Sequence, residues 1–230
     1  MITVHHLDNS RSQRVLWLLE ELEVPYEIRP YRRDPATMLA PPELRAVHPL
    51  GKSPVLTDGD VTIAETGTIL EYVLAKHGDG RLVPAKDGPG GDGNWWRYRH
   101  WMHHAEGSAM PPLVMKLVFG RLPDRVPLPF RFLARRIMAA AQSGFVDPNL
   151  ERLKDYWNDA LAESGWFAGP AMTAADIMMS FPLEAAASRS PFGPGRPHPT
   201  AFLARIQSRP AYRRALERGG GPYAYARSAR

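Results

Sequence analysis

The chain contains no cysteine. That excludes disulfides, thiolate-held metal centres and any step in which a protein thiol is nucleophile or redox partner. If thiol chemistry takes place here, the sulfur belongs to a ligand. Long apolar runs are missing too. Nothing approaches the ~18 consecutive apolar residues that a membrane span needs. Arg11, Arg14 and Glu20 break the segment where a secretory leader would carry its apolar stretch. A soluble, cytoplasmic protein without a membrane partner is expected. Blocks of one charge sign are also scarce. The net charge is +5, but arginines alternate with Glu and Asp along most of the chain. The densest basic stretches, residues 131–136 and 205–218, fall in amphipathic helical patterns. They read as solvated helix faces rather than a nucleic-acid surface, so no nucleic acid partner is expected. A basic surface does attract small anions.

What is present falls into two compositional halves. Residues 2–7 read as a strand, Asp8-Asn9-Ser10 as a turn and helix start, and Val15, Leu16, Leu18, Leu19 and Leu22 as the apolar face of a helix ending near Pro25. Tyr26-Glu27-Ile28-Arg29 reads as a second strand. Residues 34–43 carry three prolines and read as loop or broken helix. Residues 54–57 and 61–63 flank Asp58-Gly59, a hairpin signal. Glu65-Thr66 then opens a helix through Ile69, Leu70, Val73 and Leu74. The order is β-α-β-loop-β-β-α. A strand–helix–strand start implies a parallel pair joined by a crossover, to which the hairpin adds antiparallel strands. Residues 83–93 hold Pro84, Gly88, Pro89, Gly90, Gly91 and Gly93 and read as a linker. Beyond it only helical patterns follow, over residues 94–119, 147–162, 173–187 and 200–217, with a Pro- and Gly-rich loop at 190–199. The expected division is residues 1–82, a linker at 83–93, and an all-helical unit over 94–230.

Four segments carry a family resemblance across essentially the whole chain. The first is Asn9-Ser10-Arg11-Ser12-Gln13-Arg14-Val15-Leu16-Trp17-Leu18-Leu19-Glu20-Glu21-Leu22. The second and third are His48-Pro49-Leu50-Gly51-Lys52-Ser53-Pro54-Val55-Leu56 and Ala64-Glu65-Thr66-Gly67-Thr68-Ile69. The fourth is Thr173-Ala174-Ala175-Asp176-Ile177. In this order and spacing they resemble the cytosolic glutathione transferases. Glu106-Gly107-Ser108, Met110-Pro111-Pro112 and Arg209-Pro210-Ala211-Tyr212 are similar to bacterial and fungal members of uncertain class. The resemblance implies an α/β plus all-α fold: an N-terminal thioredoxin-like βαβ-ββα domain that binds glutathione, and an all-helical C-terminal domain that shapes a pocket for a second substrate. It implies a homodimer acting on a hydrophobic electrophilic small molecule or an organic hydroperoxide. Glutathione is a co-substrate, and no further cofactor is expected.

The chemistry of the residues fits that implication. The resemblance implies a cis Pro54, which turns the backbone of Ser53 toward the ligand so that its N–H and C=O pair with the cysteinyl residue as an added strand would. Without it, a trans proline opening a strand is the ordinary reading. Glutathione's γ-glutamyl end carries an ammonium and a carboxylate. Glu65 suits the first, and the Thr66 hydroxyl with free helix-start amides suits the second. The local alternative is a plain N-cap at Thr66. Lys52 suits the glycyl carboxylate, or is simply an exposed loop lysine. A thiol of pKa ~8.5 needs a donor to its charged form. Asn9, Ser10 and Ser12 sit where the first helix begins. Ser10 is favoured as the catalytic donor with Asn9 beside it, although either also serves as a helix cap. His100, His103 and His104 share one helical face. They could hold zinc or nickel but read better as polar residues packed beside Trp95, Trp96 and Trp101, and no metal site is expected. The stripe Trp101, Met102, Met110, Met115 and Phe119 either walls the second-substrate pocket or packs the core. Two other functions stay open: a glutathione-dependent disulfide reductase, and a non-catalytic glutathione-binding scaffold.

Overall fold

The computed structural model describes residues 1–87 and 90–221. Residues 88–89 of the expected linker and 222–230 of the expected helical unit lie outside the described residues. Strand β1 (Ile2–Leu7), helix α1 (Ser12–Leu22) and strand β2 (Tyr26–Tyr31) form the expected strand–helix–strand start of the fold, with β1 and β2 parallel and Ile2 in register with Tyr26. Strand β2 runs two residues past Arg29 and includes Pro30. A proline is tolerated there because β2 is an edge strand in the order β2-β1-β3-β4. Strands β3 (Val55–Asp58) and β4 (Val61–Ala64) form the hairpin. Its central residues are Gly59-Asp60, one step later than the expected Asp58-Gly59, because Asp58 still pairs with Val61. Gly59 has φ +60° while Asp60 stays out of the positive region, which excludes a type I′ turn and fits type II′.

Helix α2 (Glu43–Val47) begins at the last residue of the proline-rich stretch 34–43. It is one turn long, and its only anchor is Leu44, buried against Leu7 and Tyr31 on the outer face of the sheet. Helix α3 (Thr66–His77) joins α1 on the inner face. Among the described residues no strand follows Ala64. The helical half comprises α4 (Gly91–His104), a π-helical turn (Ala105–Ala109) and α5 (Met110–Arg121). A 3₁₀ turn (Leu122–Arg125), α6 (Leu128–Ala141) and a second π-helical turn (Gln142–Val146) lead into α7 (Asp147–Ala162), α8 (Ala174–Arg189), α9 (Pro197–Ser208) and α10 (Pro210–Arg218). The single pattern over 200–217 is two helices. Pro210 lacks an N–H and holds Arg209 extended at φ −65°, ψ 134°, which ends α9. The loop at 190–199 is correspondingly shorter, since Pro197 opens α9 at its first position.

One hydrophobic cluster spans both halves, from Val4, Leu16 and Ile69 through Met178 and Phe181 to Trp157 and Phe202. Helix α8 is its axis. Its start is fixed by a capping box in which the Asp176 carboxylate accepts the Thr173 N–H at 2.7 Å. The other oxygen accepts the Phe167 N–H at 2.9 Å. Helix α10 closes back on α1. Trp17 meets Tyr212 edge-on at 5.2 Å, Arg209 grips Glu21 at 2.5 and 2.8 Å, and Arg214 and Arg218 converge on Glu20 at 2.7 and 2.9 Å. These clamps set the end of the helical half beside the β1–α1 turn.

Candidate active site

Lys52, Ser53, Pro54, Glu65 and Thr66 line one cavity of about 260 Å³ at the C-terminal end of β1. The Ser53–Pro54 peptide is cis. The Ser53 hydroxyl donates to the His5 carbonyl at 2.9 Å and accepts the Leu7 N–H at 3.2 Å. It continues the β1–β3 ladder one step past Val55 and fixes the loop against β1. Lys52 is exposed at the rim. Glu65 has φ 69°, ψ 122°, a region that side-chain-bearing residues avoid and that costs on the order of 1–3 kcal/mol. This turn brings Thr66 to the first position of α3 rather than to its cap, and no side chain caps the helix. The N-cap reading of Thr66 is therefore corrected. Its hydroxyl instead accepts from Arg14 Nη2 at 3.3 Å, and the first amides of α3 are left for a ligand.

Ser10 and Asn9 border a neighbouring cavity of about 100 Å³, closed on the other side by Gly219, Gly220 and Gly221. Asn9 is exposed, with φ 48°. Ser10 is only 6% exposed. Its hydroxyl lies 3.4 Å from the Ser53 hydroxyl, which links the two cavities. It also accepts the Ser12 N–H at 3.2 Å, so a helix-start role is present alongside any other. Ser12 is fully buried and is out of a ligand's reach. Its hydroxyl meets Ser10 Oγ at 2.7 Å and His6 Nδ1 at 2.8 Å. His6 Nε2 lies 3.0 Å from the Gly219 carbonyl. Burial pushes the His6 imidazole below its ordinary value, partly offset by the Gly219 carbonyl and by Asp8.

Three charged residues that sequence reasoning did not assign to the site stand in its wall or directly behind it. Arg11 Nε donates to both Glu106 oxygens at 2.9 Å. Arg11 and Glu106 both line the 260 Å³ cavity. Arg14, 1% exposed, also pairs with Glu106 and donates to the Met178 carbonyl at 2.8 Å. Burial pulls the Arg14 guanidinium down, opposed chiefly by Glu106. For Glu106 burial pushes upward, but Arg14 and Arg11 outweigh it and hold the carboxyl below its usual range. One signal was available: an arginine amid the apolar face of α1 requires a carboxylate partner. The partner's position 92 residues on was not readable.

The three histidines of α4 go separate ways. His104 is buried and accepts the Trp157 indole N–H at 3.0 Å. Burial, then His100, brings it down to about 4. His100 meets the Tyr156 hydroxyl at 3.1 Å and His103 meets Arg99 at 3.1 Å. Among the described residues no group of three or more His, Cys, Asp or Glu is placed to hold a metal ion. Of the aromatic and methionine stripe, Trp101, Met102 and Met110 belong to the core. Met102 also borders a cavity of about 380 Å³ with Met178, sharing Glu65 and Glu106 with the first. A larger cavity of about 500 Å³ lies at the opposite end of β1, beside Asp58 and Lys76, away from this chemistry.

Residues 1–75 match the family model described as glutathione S-transferase, N-terminal domain. Over 186 residues the chain is 38% identical to glutathione S-transferase 3 of Schizosaccharomyces pombe, covering 81% of this chain and 74% of that protein. Over 227 residues it is 33% identical to glutathione S-transferase 1 of Saccharomyces cerevisiae, covering 95% of each. The crystal structure of a glutathione S-transferase from Actinobacillus pleuropneumoniae superposes with a TM-score of 0.79 at 29% identity, covering 99% of this chain and 96% of that one. A sphingomonad glutathione S-transferase complexed with glutathione shares the fold at 20% identity and a TM-score of 0.70, covering 95% of this chain and 98% of that one.

Proposed function

Because the chain belongs to the glutathione transferase family, we propose that it binds glutathione in the Ser53–Thr66 cavity and stabilises the thiolate for attack on a hydrophobic electrophile or an organic hydroperoxide. The observation that carries this reading is the convergence of Ser53, Pro54, Glu65 and Thr66 on one cavity, with the Ser10 hydroxyl 3.4 Å from that of Ser53. The Ser53 backbone takes the cysteinyl residue. Thr66 and the uncapped start of α3 take the γ-glutamyl carboxylate, Glu65 its ammonium, and Lys52 the glycyl carboxylate. The Arg11–Glu106 pair on the same wall adds a cation and an anion for a zwitterionic end. Ser10 donates to the sulfur, with Asn9 as the second candidate. Lowering a thiol from ~8.5 by about two units takes roughly 2.7 kcal/mol of preference for the thiolate, the size of one hydrogen bond to a charged group.

On this reading residues 1–82 hold glutathione, 83–93 link, and 94–230 shape the second-substrate pocket. Glutathione is a co-substrate and the protein works in the cytoplasm. No described helix is long and apolar enough to cross a membrane. The exposed apolar side chains of α5, the 3₁₀ turn after it and α6, Val118, Leu122, Phe130, Phe132, Leu133 and Ile137, supply a surface for a second copy in a homodimer.

The test is retention on immobilised glutathione, followed by turnover with an aryl halide, an organic hydroperoxide and a small mixed disulfide. Retention with turnover of either of the first two is expected. Ser10→Ala should keep retention and lose roughly 100-fold in rate near neutral pH, matching two units of thiol pKa. Failure to bind glutathione overturns the reading. Turnover confined to the mixed disulfide points to the reductase, and retention without any turnover to the scaffold.

A further inference from the structure

Behind Ser10 lies a chain of polar groups whose hydrogens can be assigned one by one. The Gly219 carbonyl can only accept, so His6 Nε2, 3.0 Å away, carries a hydrogen. A neutral imidazole then presents a bare Nδ1. The Ser12 hydroxyl, at 2.8 Å, donates to it in preference to the Leu7 carbonyl at 3.4 Å. Ser12 has a single hydrogen, so in its 2.7 Å contact with Ser10 it accepts and Ser10 donates. With His6 neutral, the Ser10 hydrogen points inward to Ser12 at 2.7 Å in preference to the longer 3.4 Å contact in which it would donate to Ser53 Oγ. Toward the ligand cavity Ser10 offers only lone pairs, which suit a thiol S–H but not a thiolate.

We propose that His6 is the general base of this protein, taking the glutathione proton through Ser10 and Ser12. The inference rests on the reading that Ser10 touches the sulfur. The thiol S–H bond breaks and its proton binds Ser10 Oγ. The original Ser10 hydrogen passes to Ser12 Oγ, and the original Ser12 hydrogen to His6 Nδ1. Each serine ends with one hydrogen. The products are a thiolate and an imidazolium, with no change in total charge. Ser10 now donates toward the sulfur, which is the orientation thiolate stabilisation requires. The hydrogen-bond chain acts as a base and as a switch in the direction of the Ser10 hydroxyl.

The surroundings of His6 favour this role. Burial keeps the resting imidazole neutral with Nδ1 bare but opposes the imidazolium, so it falls to the Gly219 carbonyl and Asp8 to hold the transferred proton. From the turn after β1, Asp8 faces it and stabilises the proton once it arrives. Helix α1 contributes the Ser12 hydroxyl, with the Gln13 amide in the same cavity, and the turn after α10 contributes the Gly219 carbonyl. On β2 its register partner is Pro30, which does not titrate. Ser12 is wholly buried, so bulk water does not short-circuit the transfer. The Gly219 carbonyl is held close because that position has no side chain: a Cβ there would meet Gln13 Oε1 at 3.0 Å and Leu16 Cδ1 at 3.1 Å.

The test compares Ser12→Ala, Ser12→Thr, His6→Gln and Ser10→Ala with the parent chain. Three quantities are read: glutathione affinity by calorimetry, ionisation of the bound thiol by thiolate ultraviolet absorbance against pH, and kcat/KM with an aryl halide against pH. Ser12→Ala and His6→Gln should bind glutathione as the parent does. They should raise the bound thiol's apparent pKa and lose about 100-fold in kcat/KM near neutral pH. Ser12→Thr keeps the hydroxyl and should restore both. Parent-like thiol ionisation in folded Ser12→Ala, while Ser10→Ala loses it, overturns the relay and leaves Ser10 as an independent donor. Parent-like ionisation in Ser10→Ala overturns the Ser10–sulfur contact itself. Should Ser12→Ala fail to fold, His6→Gln decides the same question.

Discussion

Replacing Glu106 by glutamine tests the charge network at the seam of the two halves. The substitution keeps the shape of the side chain and one acceptor oxygen but removes the charge that faces both Arg14 and Arg11. Arg14 is 1% exposed while Glu106 is 34% exposed. Stripping one partner from a fully buried pair costs about 3–5 kcal/mol. Water reaches Glu106 and glutamine still accepts from Arg14, so about 2 kcal/mol is the better figure here. Glu184, the next acid near Arg14, is held up to about 7 mainly by burial and compensates only partly at neutral pH. In urea denaturation at pH 7 the midpoint should fall by that amount with an unchanged slope, and the melting temperature by roughly 4–8 °C. Because Glu106 is held below its ordinary value of 4.5, its contribution is present above that pH and is lost as the pH falls through its native value. The two proteins should therefore converge in acid. Adding Arg14→Met should recover most of the stability but not glutathione affinity, since Thr66 loses the donor at 3.3 Å. A loss below about 0.5 kcal/mol, the level of a surface pair, would refute the reasoning.

Two further outcomes are expected. The first concerns opposing pH slopes. Burial holds Glu184 up to about 7, so its contribution is complete below pH 4.5 and is lost as the pH rises through 7. Burial holds His104 down to about 4, so its contribution is complete above pH 6.5 and is lost as the pH falls through 4. Glu184→Gln should expose the histidine slope, opposed only in part by Asp176, which burial holds up to about 6. Denaturation midpoints at pH 5 and pH 7 should then separate, with the lower one at pH 5, and no change in slope would count against the assignment. The second concerns the α8 start. Thr173→Ala should cost about 1 kcal/mol. Asp176→Ala strands two amide donors, those of Thr173 and Phe167, and should cost about 3 kcal/mol. Equal losses by calorimetry would show that the Phe167 bond contributes nothing.

The sheet and its flanking helices were legible because each rests on local chemistry. Alternating strand residues, the apolar face of α1, Gly59 in the hairpin and Thr173 with Asp176 all announce themselves within a few positions. The five-residue α2 did not, since a single buried leucine gives no period. The π-helical turns at 105–109 and 142–146 shift the helix by one residue without a composition change. In the site, Ser53, Pro54, Glu65 and Thr66 were readable as segments resembling a family. The links that join segments were not. Arg11 and Arg14 meet Glu106 across 95 and 92 residues, and His6 meets Gly219 across 213. Such pairings are set by how the helical half folds over α1, and no window of sequence contains both partners.

The His6–Gly219 contact also orders events during synthesis. At ~5–20 residues per second, the carbonyl that fixes the tautomer of His6 leaves the ribosome roughly 10–40 s after the histidine does. Most of the lining of the 260 Å³ cavity, residues 50–66, leaves the ribosome earlier, and Glu106 of its wall follows in between. A nascent or prematurely terminated chain therefore lacks the carbonyl that fixes the His6 tautomer. The polar chain Ser10–Ser12–His6–Gly219 is complete only once α10 has closed on α1.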